Sequence, residues 1–161
     1  MLTTKHRKTL LRRRLITAAA LLLVALTSFA APLQVASAQA QEVAVYKSPF
    51  CDCCGKWVQH LRQHGFTVAV HTTEDLDPVK AKYGVPADLV SCHTAVVEGY
   101  VVEGHVPASD IRRLLEERPK ARGLAVPGMP AGSPGMEGAG REPYEVLLFD
   151  ASGTTQVFAK H

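Results

Sequence analysis

A dense cysteine motif follows a short apolar run and precedes an amphipathic stretch, in the segment Tyr46-Lys47-Ser48-Pro49-Phe50-Cys51-Asp52-Cys53-Cys54-Gly55-Lys56-Trp57. The run over 42–47 is rich in β-branched and aromatic residues and predicts a strand that Ser48-Pro49 ends. Residues 56–64 have apolar positions at helical spacing and predict a helix. The cysteines are therefore expected at a helix start, where the helix dipole favours thiolate over thiol.

The rest of the chain continues the alternation of strands and helices. The predicted elements are a buried parallel strand over 66–70, a short helix over 75–83 and a hairpin formed by 94–97 and 100–103. A third helix is predicted over 107–119, with Pro107 in its first turn. The order β-α-β-α-β-β-α predicts a thioredoxin-like α/β domain with a central mixed sheet and flanking helices.

The C-terminal part differs in composition. Residues 123–143 contain six glycines and four prolines, too many for any regular element to be expected, and a C-terminal β-hairpin over 144–149 and 155–159 follows. This loop holds Met129 and Met136, the two methionines outside the N-terminal segment. Thioether and thiolate sulfurs are soft donors that together favour Cu(I). Packing of the methionines onto the core is the alternative explanation.

The basic surplus lies in the N-terminal segment. The chain of 161 residues has 18 Lys and Arg against 15 Asp and Glu, but residues 1–38 contain six of the basic groups and no acidic one. The remainder has a net charge of −3, which removes the support for a nucleic-acid partner. Basic residues up to Arg14, an apolar run over 15–31 and a small-x-small site at 36–38 predict a signal peptide.

Cleavage after this segment leaves one domain, 39–161, which is expected in the periplasm without stable membrane insertion. In a thioredoxin-like fold, the segment entering the third strand faces the start of the first helix. Cys92 and His93 are therefore expected beside Cys51, Cys53 and Cys54. Four sulfurs and one imidazole in one place indicate a metal site, and two disulfides are the structural alternative.

The remaining histidines carry weaker patterns. His60 and His64 are spaced i and i+4 on the first helix and could chelate a metal, but a solvated helix face is the preferred explanation. His105, before the third helix, is a candidate outer ligand.

The cysteine motif, Ser91-Cys92-His93-Thr94-Ala95, Glu103-Gly104-His105-Val106-Pro107 and the two Pro-Gly-Met segments resemble the CopG-type family of exported copper-binding proteins. The resemblance spans roughly residues 43–161. It implies a thioredoxin-like fold, copper ligation by Cys51, Cys53, Cys54 and Cys92, and a role in periplasmic copper homeostasis or resistance.

The leading prediction is a copper-binding protein that holds Cu(I) on clustered thiolates, with His93, Met129 and Met136 as further candidate ligands. The four thiolates could bridge several ions, and conversion between Cu(I) and Cu(II) stays open. The expected partners are copper ions and other periplasmic copper-handling proteins. A thiol–disulfide oxidoreductase using Cys51 and Cys54 is the alternative, and a zinc site of three cysteines and His93 is a third hypothesis.

Overall fold

The structure is a computed structural model that describes residues 41–138 and 140–161. The predicted signal peptide and the boundary at residue 38 lie outside these residues. The helices and strands of the described chain are β1 (Glu42–Lys47), α1 (Asp52–Gln63), β2 (Thr67–Thr72), α2 (Asp77–Tyr83), β3 (His93–Val97), β4 (Tyr100–Glu103), α3 (Ala108–Glu117), β5 (Gly123–Ala125), β6 (Glu145–Phe149) and β7 (Thr155–Lys160). A 3-10 turn, Ala87–Leu89, separates α2 from β3.

The strands form one mixed sheet in the order β2-β1-β3-β4-β5-β6-β7. β1 and β2 are parallel, β3 is antiparallel to both β1 and β4, and β5 is parallel to β4. The predicted α/β fold is confirmed, including the element order expected of a thioredoxin-like domain. The C-terminal hairpin is also confirmed, and it extends the sheet through β6 and β7.

Helices pack on both faces of the sheet. One face carries the larger core, to which α1 contributes Trp57 and α3 contributes Leu114, both fully buried. The opposite face carries a smaller cluster that includes Val101 and is bordered by Tyr83 of α2. Successive strand residues point to opposite faces, so Val101 and Val102 belong to different clusters. Within the described ranges, no helix is both long enough and apolar enough to cross a lipid bilayer.

Two expectations about the sheet are wrong. Residues 123–125 form β5, although the glycine and proline content of 123–143 argued against a regular element. Gly123 lies against β4 so closely that a Cβ would stand 1.8 Å from the Val101 carbonyl oxygen, so the glycine itself permits the pairing. β2 was expected to be buried, but it is an edge strand, and Val70 is 41% exposed. An apolar run does not reveal whether a strand has one neighbour or two.

Helix boundaries also differ from the predictions. α1 begins at Asp52, earlier than its apolar periodicity indicated, with Cys51 at the N-cap. Cys53 and Cys54 therefore belong to the first helical turn. Pro107 is the N-cap of α3 and not part of its first turn.

Candidate metal centre

The sheet register brings several chain segments to one end of the domain. Lys47 pairs with His93, Thr94 pairs with Glu103, and Glu103 pairs with Ala125. The end of β1, the start of β3 and the ends of β4 and β5 therefore lie side by side. Apart from Met136, the predicted ligands lie near these strand ends in the sequence, so the topology gathers them.

The four cysteine sulfurs all lie within 4.8 Å of one another. Cys51 and Cys54 form a disulfide, and Cys53 and Cys92 are free thiols. The Cys53 Sγ is 3.3 Å from the Cys51 Sγ, and the Cys54 Sγ is 3.7 Å from the Cys92 carbonyl oxygen. Cys54 is fully buried, whereas the other three are partly exposed. The structure therefore brings Cys92 to the motif, as the fold predicted.

His93 is buried against the cluster. Its Nδ1 is 3.3 Å from the Cys92 Sγ, and its ring centroid is 4.3 Å from that of Trp57. Its Nε2 is buried and has no hydrogen-bond partner among the described residues, which is uncommon for a buried polar atom. Burial, reinforced by His105 and Lys80, lowers the pKa of His93 well below its usual value. The imidazole is therefore neutral, the form that binds metals.

His105 has the geometry of a ligand, although its sequence indicated only an outer role. Its Nδ1 lies 2.7 Å from the Pro134 carbonyl oxygen, and its Nε2 lies 3.0 Å from the Cys92 Sγ. A carbonyl only accepts, so Nδ1 carries the proton and Nε2 presents its lone pair to the cluster. Burial lowers the pKa of His105 and keeps the ring neutral. The sequence signal was its position just after the fourth strand.

Cys92 is protonated in the metal-free form. Burial, followed by the charge of Cys53, raises the pKa of the Cys92 thiol from 9.0 to about 12. Its S–H therefore faces the lone pair of His105 as a donor. Metal binding at this sulfur must displace a proton, so it depends on pH.

The methionine loop, defined here as residues 127–138, places its two thioethers differently. The Met129 Sδ is 4.0 Å from the Cys53 Sγ, and Met129 is 51% exposed. Met136 is half-buried, and its backbone N–H closes a turn on the Ser133 carbonyl oxygen at 2.8 Å. Among the described residues, its sulfur forms no hydrogen-bonding contact with a cysteine. The loop therefore brings the Met129 thioether to Cys53 and the Pro134 carbonyl to His105.

The prediction of a solvated face for His60 is wrong. His60 is half-buried, and its Nε2 accepts the Ala108 N–H at 3.1 Å, at the start of α3. Burial and then the proximity of His64 lower the pKa of His60. His64 is exposed as expected, with its Nδ1 2.8 Å from the His60 carbonyl oxygen. His60 thus joins two helices, a contact that spacing along one helix cannot reveal.

Comparisons with known proteins identify the family. A solved structure named "Copper resistance protein copG- Form 2" is 44% identical, with a TM-score of 0.73, and the match covers 76% of this chain and 99% of that one. Form 1 of the same protein is also 44% identical, with a TM-score of 0.72, covering 76% and 98%. This chain belongs to the CopG family.

The resemblance to the CopG family that the motifs indicated is thereby confirmed. A family profile described as "Protein of unknown function, DUF411" matches residues 89–136. This range contains Cys92, His93, His105 and Met129, so the profile includes the segments that meet the cysteine motif. A search among curated proteins found no match.

Proposed function

We propose that this CopG-family protein binds copper as Cu(I) on the thiolates of Cys51, Cys53, Cys54 and Cys92. The observation that carries the proposal is the placement of all four sulfurs within 4.8 Å of one another at one end of the sheet. Similarity to structures named copper resistance protein supports copper as the metal. The role is copper homeostasis or resistance in the periplasm, where other copper-handling proteins are the expected partners.

The donor set suits a soft ion. Thiolates and the thioether of Met129 prefer Cu(I), and imidazole is an acceptable ligand. His105 Nε2 and His93 Nδ1, which both lie next to the Cys92 Sγ, extend the set from sulfur to nitrogen. Cu(I) accepts low coordination numbers, so four thiolates bridging more than one ion is the proposed arrangement. Met136 remains a further candidate ligand.

The disulfide makes this function depend on the redox state. Cys51 and Cys54 become ligands only after a thiol reductant has supplied the two electrons and two protons that convert the disulfide to two thiols, which then lose their protons on binding copper. We therefore expect the reduced protein to take up more copper than the oxidised protein.

The decisive experiment measures bound copper per protein molecule after anaerobic reduction and removal of excess Cu(I). More than one ion per chain is expected, and the untreated disulfide form provides the matched control. One ion or fewer would contradict the polynuclear site, and no binding would contradict copper binding itself. Competition between Cu(I) and Zn²⁺ at the same protein tests the zinc alternative, which predicts that zinc displaces copper.

Trp57 provides an independent optical readout. Its ring is fully buried and lies 4.3 Å from the His93 ring. We expect copper to quench its fluorescence, because the ion would bind next to this imidazole. An unchanged signal at saturating copper would contradict this placement of the metal.

A thiol–disulfide oxidoreductase is the second candidate, favoured by the Cys51–Cys54 disulfide. A substrate thiolate would attack the partly exposed Cys51 Sγ, since Cys54 is buried, and would release Cys54 as a thiolate. Cys53, with its Sγ 3.3 Å from Cys51, would compete for the mixed disulfide. In the reverse direction, the reduced Cys51 thiolate would attack a substrate disulfide and Cys54 would resolve the mixed disulfide. Insulin reduction by metal-free protein with dithiothreitol as the electron donor, retained in C53S and C92S, would favour this enzyme over the copper-binding function.

The periplasmic location is a separate proposal. It rests on the predicted signal peptide over 1–38 and on the family resemblance. Cell fractionation with an antibody to the domain should recover a shortened chain in the periplasm, and full-length chain in the cytoplasm would contradict export.

A further inference from the structure

A buried ion pair lies beneath the candidate metal centre. Glu103, at the end of β4, is fully buried, and its Oε1 is 2.5 Å from the Nζ of Lys80, whose side chain is 8% exposed. Burying two charges carries a desolvation penalty that an apolar pair would avoid. Neither residue belongs to the ligand set proposed above, so the pair calls for another explanation.

The Glu103 carboxylate holds both ends of the segment that carries Cys92 and His93. Its Oε1 accepts the Ser91 N–H at 2.7 Å, and its Oε2 accepts the Thr94 hydroxyl at 2.6 Å. Lys80 completes the arrangement, because its Nζ also donates to the Thr94 Oγ1 at 3.1 Å. The residues flanking the two ligands are thus tied to a single carboxylate.

Glu103 and its partner Ser91 also anchor the segment that leads to Met129. The Glu103 carbonyl oxygen accepts the Val126 N–H at 3.0 Å. The Ser91 hydroxyl, next to the N–H that Glu103 holds, donates to the Gly128 carbonyl oxygen. Met129 follows directly. Both contacts connect this segment to Glu103 or to its partner Ser91.

Gly104 allows His105 to join this arrangement. It has a φ of +73°, and a Cβ there would stand 2.5 Å from the Ser91 Oγ and from the Val126 carbonyl oxygen. Only glycine fits so close an approach. The chain can therefore pass from Glu103 to His105 while remaining against the other two segments.

We propose that Glu103 is a positioning residue of the copper centre: it acts through Ser91 and Thr94 to hold the Cys92 Sγ beside His105, with Lys80 compensating its charge. This inference rests on the proposed function for the identity of the metal. A carboxylate is required because three donors converge on its two oxygens. A glutamine would offer one accepting oxygen and an NH₂ group, so the Thr94 hydroxyl would have to reverse and accept, and the charge-assisted contacts that hold the ligand segment would become weaker neutral ones.

The test compares E103Q with D110N. Asp110 is the matched control because it is also a buried carboxylate that contacts one basic side chain, with the His161 Nε2 2.7 Å from its Oδ2, but it lies on α3. The Cu(I) affinity of each reduced protein is measured by competition with a chromophoric chelator. We expect E103Q to weaken binding by about 10–100-fold, as for partners that orient metal ligands, and D110N to bind as the wild type does.

A second readout requires no metal. The rate at which iodoacetamide alkylates Cys92 in the metal-free disulfide form is followed by peptide mass spectrometry. E103Q should react several-fold faster than the wild type, because the segment is no longer held against His105, whereas D110N should react at the wild-type rate. If the wild type fails to bind copper, the proposed function is wrong, and the alkylation rates still decide whether Glu103 positions Cys92.

Equal copper affinities and alkylation rates for E103Q and the wild type would overturn the proposal, even if E103Q were less stable. If E103Q alone does not fold, the double variant K80M/E103Q removes both charges together and leaves no unpaired ion. It should fold with weakened copper binding and faster alkylation. Wild-type values for this double variant would equally overturn the proposal.

Discussion

Replacing Gly135 by alanine tests how closely the methionine loop must pack on the helix that carries the cysteines. Gly135 has a φ of +91°, and a Cβ there would stand 2.6 Å from the Cys53 carbonyl oxygen and 3.0 Å from the Trp57 backbone nitrogen. The His105 Nδ1 would be 3.4 Å away. Two of these neighbours are backbone atoms of α1, so the loop must move away.

Gly138 provides the matched control. Its φ is +95°, and among the described residues nothing lies within 4 Å of its Cβ position. A left-handed conformation costs a residue with a Cβ roughly 1–2 kcal/mol, and both variants incur this cost. Overpacking adds about 1–3 kcal/mol in G135A alone. We therefore expect the free energy of unfolding of G135A to be about 1–3 kcal/mol below that of G138A.

Urea denaturation of the metal-free proteins measures this difference, and chelator competition then measures Cu(I) affinity. G135A should also bind copper more weakly, because the displaced loop withdraws the Pro134 carbonyl from His105 and Met129 from Cys53. G138A should bind as the wild type does. Equal unfolding free energies and equal affinities for the two variants would refute the close packing of this loop.

Three further predictions concern the histidines and Cys92. H105A should lower Cu(I) affinity by about tenfold or more. H71A changes an exposed histidine and is the control, which should leave the affinity unchanged. Equal affinities for the two variants would remove His105 from the ligand set. Because the pKa of Cys92 is raised from 9.0 to about 12, the folded protein has about a thousandfold less Cys92 thiolate at neutral pH than the unfolded chain has. Alkylation of Cys92 should be slower by that factor in folded metal-free protein than in urea, and similar rates would contradict the burial. Folding lowers the pKa values of His60, His93 and His105. Below pH 6.5 the unfolded chain therefore binds more protons than the folded protein does. The urea midpoint of metal-free protein should therefore fall on acidification below that pH, and a rise would contradict the lowered pKa values of these histidines.

The sequence determined most of the elements and the main ligand candidates. Alternating apolar patterns and Gly/Pro punctuation are local signals, so the order of strands and helices through α3 and the C-terminal hairpin could be predicted. Three cysteines within four positions at a helix start, with Cys92-His93 before a strand, indicated a thiol-rich site because thiolate chemistry depends on residue type and local backbone. The family resemblance rested on the same motifs.

Several side-chain contacts were decided by tertiary structure alone, although the meeting of Cys92 with the cysteine motif was predicted. His105 contacts Cys92 because antiparallel register aligns the end of β4 with the start of β3, and His60 contacts α3 because two helices pack on the same face. Gly123 appeared to be a break until its contact with Val101 showed a paired strand. The pairing of Glu103 with Lys80 likewise joins residues far apart in the chain. Such contacts depend on register and packing between distant segments, and residue spacing in a single sequence does not encode them.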